Sequence, residues 1–196
     1  MIFLKLIRLT NWFAVFLRTR IYNFIFGVKF KFFGSNTHLD VSGSISVGNN
    51  VYIGDNVNII VEKGASLKIG DNSFIGESCY IKCFGGNIEI GHDVSINSKS
   101  YLNGCGNISI GNNTRIGTQT IIIASNHQFG TNILVKDTII KKGIKIGRNV
   151  WFGARVTVLD GVAVCDDSVI GAGAVVSKSI EVHGIYVGIP AKKVLK

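Results

Sequence analysis

Four histidines and four cysteines are the residues of this 196-residue chain best suited to proton transfer, metal binding or nucleophilic attack. Three of the histidines sit in settings that require no chemistry. His38 precedes a regular repeat, His92 stands where other segments place Asn or Asp, and His183 falls where the repeat ends. His127 differs, because it lies in IIIASNHQFGTNILVKDTIIKKGIKIGRNVWFG, Ile121 to Gly153, and the rhythm of the chain breaks directly after it. An imidazole titrates near neutral pH, so a histidine at the mouth of such a break can act as a general base; spacing alone suits a turn histidine better than a base. Cys79, Cys83, Cys105 and Cys165 are scattered. No second Cys or His pair completes a zinc shell around Cys79 and Cys83, so no metal site is expected and all four read as small buried or turn residues. No secretory signal precedes them, which favours a reducing, cytoplasmic setting.

The elements that would position His127 follow from a spacing of six. Val47, Ile53 and Ile59 form one triplet, and five more follow: Ile69, Ile75, Ile81; Ile90, Ile96, Leu102; Ile110, Ile116, Ile122; Ile146, Phe152, Val158; and Val164, Ile170, Val176. Gly usually follows the first two members, with Asn or Asp close behind, as in VGNNVYIGDN and IGRNVWFGAR. Such residues accept tight corners and positive φ. One aliphatic residue per six, separated by a polar corner, predicts short strands turning three times per coil of about eighteen residues, stacked into a parallel β-solenoid. A helix would need spacings of three and four. Between Ile110 and Ile146 the chain covers two coil lengths in one step. Leu134 and Ile140 keep the phase but lack the following Gly, so a loop of about 128–143 leaving the solenoid is expected, and long loops in compact domains tend to carry function.

The flanks differ from the repeat. Residues 1–39 carry Lys5, Arg8, Arg18, Arg20, Lys29 and Lys31, no acidic residue, and many Phe, Ile, Leu and Trp. Uncharged runs such as LTNWFAVFL fall far short of the roughly 20 residues that span a bilayer. The segment reads as a cap over the first coil, and as a candidate for peripheral contact with an anionic membrane. The domain reading is therefore a basic apolar cap over 1–40, a solenoid over 41–187 and a basic tail over 188–196 that leaves the repeat through Pro190. The net charge of +9 calls for an anionic partner. Its basic residues gather at the two ends without the interleaved aromatics of a base-stacking platform, so nucleic acid is not expected.

The segment GARVTVLDGVAVCDDSVIGAGAVVSKSIEVHGIYVGIPAKKV resembles the end of the hexapeptide-repeat acyltransferases, and the resemblance extends over roughly 41–196. It is nearest to the branch of maltose, galactoside and streptogramin acetyltransferases and sugar or polysaccharide O-acetyltransferases, in which a coil like IGNNTRIGTQTIIIASNH ends in the catalytic histidine, a loop follows, and a coil like VWFG comes next. The resemblance implies an all-β, left-handed parallel β-helix, a homotrimer, and acetyl-CoA as acyl donor. It assigns His127 as general base and places Asn97 and Trp151 at the acceptor. Gly153, Ala154, Ala172, Ser177, Lys178, Lys192 and Lys193 fall to the coenzyme, small residues along the pantetheine arm and lysines toward the phosphates. Small residues make corners in any solenoid, and Asn97 also suits a left-handed corner. After the histidine this chain reads NHQFG, without the second histidine or proline common among such proteins, so the acceptor class stays open.

The function implied is acetyl transfer to a hydroxyl of a sugar or surface polysaccharide, lipid-linked acceptors at the inner membrane face included. Two alternatives remain: N-acetylation of a nucleotide-linked amino sugar, and a non-enzymatic scaffold or binder of anionic polymers. Hydration chemistry of the γ-type carbonic anhydrases would need a third converging histidine, which this chain does not place.

Overall fold

The computed structural model describes residues 2–132 and 134–194, of which 2–12 as backbone alone. Leu195 and Lys196 of the expected tail lie outside the described residues, as do the side chains of Lys5 and Arg8. The chain forms a left-handed parallel β-helix of about seven turns with one α-helix before it. Each coil adds one short strand to each of three faces, so the strands of a face come from successive coils. The first face runs from Phe30–Phe33 to Lys192–Lys193, the second from His38–Val41 to Val175–Val176, and the third from Ser44–Val47 to Ala163–Val164.

The six-spaced residues are the columns of the interior. On the first face Ile53, Ile75, Ile96, Ile116, Phe152 and Ile170 stack in register. Ile59, Ile81, Leu102, Ile122, Val158 and Val176 do so on the second. Val47, Ile69, Ile90, Ile110, Ile146 and Val164 do so on the third. All but Val47 are buried. Stacking begins before residue 41, since Phe33 pairs with Ile53 and Leu39 with Ile59; the change in composition near residue 40 falls inside the first coil.

Corners hold the coils at strand spacing. Asn50, Asn56, Asn72, Asn149 and Asp167 adopt positive φ there, as short polar side chains can. Gly117 and Gly153 answer a different need: a Cβ on Gly117 would come within 2.5 Å of the Gly153 carbonyl carbon, and one on Gly153 within 2.6 Å of the Ala172 nitrogen. Buried hydroxyls clip neighbouring coils together. Thr37 donates to the Gly54 carbonyl (2.8 Å), Ser73 to Gly91 (2.9 Å) and Thr114 to Gly147 (3.0 Å), while each accepts a backbone N–H of a third residue. These hydroxyls are thereby satisfied in the dry interior.

Both ends of the first face are finished. The N-terminal helix, Ile2–Phe26, packs beside Phe30–Phe33. Its Asn23 side chain accepts from the Phe30 N–H (2.8 Å) and donates to the Phe30 carbonyl (3.0 Å); Thr19 accepts from the Phe33 N–H (3.1 Å), and Arg18 donates to the Phe33 carbonyl (3.3 Å). Tyr22 stacks on Phe33 at 4.3 Å. At the far end Ile185–Val187 continues the parallel ladder, and Lys192–Lys193 folds back against it antiparallel.

Cys79, Cys83 and Cys105 are buried free thiols and Cys165 is half-buried. Burial pushes the Cys79 thiol up to about 11 and the Cys83 thiol up to about 12. The unfolded chain gives up these protons first, so their stabilisation is complete below the ordinary thiol range and is lost as pH climbs toward 11–12. The expected loss is on the order of a few kcal/mol. A Cys83→Ala variant should show a shallower fall in melting temperature across that alkaline range; an unchanged slope would count against it.

Candidate active site at the His127 loop

His127 owes its place to a corner that does not close. After Ile121–Ile123 on the second face and buried Ala124, the chain leaves the solenoid and rejoins it at Ile144–Ile146 on the third. The loop is held by its own backbone pairing. Asn126 and Ile140 exchange two hydrogen bonds (2.9 and 2.7 Å), and a short 3₁₀ turn, Val135–Asp137, folds back toward the histidine. His127 is exposed, and its Nδ1 lies 2.8 Å from the Val135 carbonyl. A carbonyl only accepts, so Nδ1 carries the hydrogen and the neutral ring keeps its lone pair on Nε2. Thr138 supports the same carbonyl: its N–H donates at 3.2 Å, and its hydroxyl, 3.1 Å away, also accepts from the Gln128 N–H at 3.0 Å. These partners could not be found from the sequence, since loop contacts between residues eight and ten apart leave no periodic signal.

The foot of the loop is pinned by Asp160, whose carboxylate accepts from the backbone N–H groups of Lys142 (3.0 Å) and Gly143 (2.8 Å). Asp160→Ala is expected to leave both N–H groups without their charged partner. Local opening should become roughly tenfold more frequent, a change of about 1.4 kcal/mol. Hydrogen exchange at the Asn126 and Ile140 amides measures it, and unchanged protection would refute the pinning.

The other expected site residues divide between edges of the prism. Asn97, Gly153, Ala154 and Ala172 lie at the corner between the first and second faces. His127, Ser177 and Lys178 lie at the corner between the second and third. Trp151 projects from the outside of the first face, 59% exposed, between Arg115 and Val169 of adjoining strands. Lys192 and Lys193 form the closing strand, with the Lys193 stem lying over Gly184. One chain therefore does not gather His127 with Trp151 or with the Gly153 corner. Asn97 is not the left-handed residue of its corner, a place taken by Lys99 (φ 62°); its side-chain amide instead donates to the Ile116 carbonyl at 2.8 Å. Lys178, Lys192 and Lys193 are exposed, and among the described residues no carboxylate pairs with them. Among the described residues no three His, Cys, Asp or Glu side chains converge.

The coils match known proteins on both sides of the loop. The family described as the hexapeptide repeat of succinyl-transferase matches residues 66–98 and 143–178. The galactoside O-acetyltransferase of Escherichia coli K12 is 29% identical over 137 residues, 67% of this chain and 68% of that protein. A probable acetyltransferase of Mycobacterium tuberculosis is 30% identical over 169 residues, 85% of this chain, which spans only 54% of that relative. Among solved structures, the polySia specific acetyltransferase NeuO superposes with a TM-score of 0.61 at 27% identity, covering 85% of this chain and 84% of that one. The matched hexapeptide repeats lie on either side of the extruded loop, and over its coils the chain is similar to hexapeptide-repeat acetyltransferases.

Proposed function

We propose that the protein transfers an acetyl group from acetyl-CoA to a hydroxyl of a sugar or polysaccharide, with His127 as general base. The contact between His127 Nδ1 and the Val135 carbonyl carries this reading, because it fixes the tautomer that such a base needs. His127 Nε2 takes the acceptor's hydroxyl proton as its oxygen bonds to the acyl carbon, and returns that proton to the departing sulfur. Backbone N–H donors near the loop would stabilise the negative charge that builds on the acyl oxygen. The relatives named galactoside O-acetyltransferase and polySia specific acetyltransferase support a carbohydrate acceptor.

The first corner suits the coenzyme's slim arm. Ala154 and Ala172 sit there in successive coils as small side chains, and Ser177 adds a hydroxyl on the next corner. Lys178, Lys192 and Lys193 are available to its phosphates as charge-assisted donors. Since one chain divides these residues, a homotrimer would complete each site by bringing the Gly153 corner of one copy against the His127 loop of the next. Asn97 and Trp151 would then border the acceptor. The loop's exposed apolar side chains, Phe129 at 93% and Leu134 at 63%, suit a wall between copies. We place the reaction in the cytoplasm, at the inner membrane face where lipid-linked glycans are available as acceptors.

Thiol release from acetyl-CoA, measured with a panel of sugars, nucleotide-linked amino sugars and lipid-linked glycans, tests the reading. Turnover with a hydroxyl acceptor supports it, turnover only with amino sugars moves the protein to N-acetylation, and failure to bind acetyl-CoA at all overturns it. Coassembly of His127→Ala with Ala172→Arg chains should restore part of the activity that each variant lacks, if the site is shared. A monomer in sedimentation would refute the shared site.

A further inference from the structure

The N-terminal helix leaves an apolar stripe on its outward side, while its inward side mixes polar groups with Tyr22 and Phe26. A helix on a globular protein ordinarily turns its apolar stripe to the body and its polar face to water. Here Thr19, Asn23 and Arg18 face the body and hydrogen-bond to the outer edge of Phe30–Phe33. Phe13, Leu17, Ile21 and Phe24 recur at spacings of four, four and three, which places them on one stripe. That stripe points outward, with Phe24 88% exposed and Ile25 beside it also exposed. A contiguous exposed apolar surface of this kind marks an interaction site.

Charge indicates what covers it. Arg20 lies on the same outward face, its guanidinium 5.2 Å from the centre of the Phe16 ring, and with Lys31 it lines a cleft of about 220 Å³ beside the helix. Lys29 is exposed nearby, and residues 1–39 contain no acid. An apolar stripe with a cationic border matches the interface of an anionic bilayer, where the apolar side chains enter the acyl boundary and the cations meet headgroup phosphates. A second copy presenting the same face would bring one cationic border against another. Among the described residues no helix is long and apolar enough to cross a membrane, in keeping with a helix that lies in the plane of the headgroups.

We propose that the outward face of the N-terminal helix docks the protein on an anionic lipid surface. This extends the membrane side of the functional reading but does not depend on acetyl transfer. Co-sedimentation of the full chain with phosphatidylcholine vesicles, with and without about one third phosphatidylglycerol, tests it. Binding should require the anionic lipid and weaken several-fold in about 0.5 M salt. Phe13→Ser with Phe24→Ser should lower the apparent affinity at least tenfold, and Arg20→Gln with Lys31→Gln should lower it several-fold. The substituted side chains are exposed, so the melting temperature and turnover of a soluble acceptor should not change. Absence of wild-type binding, equal binding to both vesicle types, or binding untouched by either double variant would overturn the proposal. Light scattering covers the rival occupant: an assembly that becomes smaller in the aromatic variant assigns the face to a second copy instead.

Discussion

His127→Ala should lose about 10²–10⁴-fold in kcat/KM for acetyl transfer while retaining its fold and its affinity for acetyl-CoA. The side chain is exposed, and the loop keeps its own ladder between Asn126 and Ile140, so removal of the ring costs little stability. What goes is the Nε2 lone pair that the Val135 carbonyl orients. Added imidazole should restore part of the rate, because a diffusible base can enter the space that the ring vacates. A variant that keeps more than about a tenth of the wild-type rate would remove His127 from the role of base. Loss of acetyl-CoA binding together with activity would instead mean that the loop had collapsed.

Phe152→Ala should destabilise the fold by about 3–5 kcal/mol, the usual range for a fully buried aromatic. Phe152 is completely buried in the first-face column between two isoleucines, Ile116 and Ile170. Coils on either side are tied to each other by backbone bonds, including Gly117 N–H to the Phe152 carbonyl at 2.9 Å, so they cannot close on the void. For a chain of this length the melting temperature should fall by roughly 10 °C. Trp151, one residue earlier and exposed, provides the contrast: Trp151→Ala should leave the melting temperature nearly unchanged and raise the KM for the acceptor if the proposed site is right. A loss below about 1 kcal/mol at Phe152 would mean that the column is not the rigid stack described.

The interior was legible in the sequence because each face of the coil spends six residues, so a backbone repeat writes itself directly as Ile, Val and Leu at fixed spacing. The loop after His127 was legible for the converse reason, as a place where the spacing fails. The helix was not. Its polar residues Thr19 and Asn23 serve a strand edge and four of its large apolar residues, Phe13, Leu17, Ile21 and Phe24, face outward, so the usual rule relating pattern to burial gave no clue to it. Val135, Thr138 and Asp160 also escaped notice, since their parts depend on how a non-repeating loop folds back on itself. The division of expected site residues between two edges was equally hidden, because a list of positions does not say which corner of the prism each one reaches.

The helix that closes the first face also bears on how the protein stays discrete. A stack of parallel strands presents, at each end, the same row of backbone donors and acceptors that joins its coils, and nothing in that row distinguishes the next coil from another molecule. Asn23, Thr19 and Arg18 occupy the row at one end of the first face, and the reversed strand Lys192–Lys193 occupies it at the other. Head-to-tail growth into a filament is thereby denied its template on that face. Substitutions that strip these side chains from the edge are thus a route to fibrous aggregates, even where every coil of the solenoid is intact.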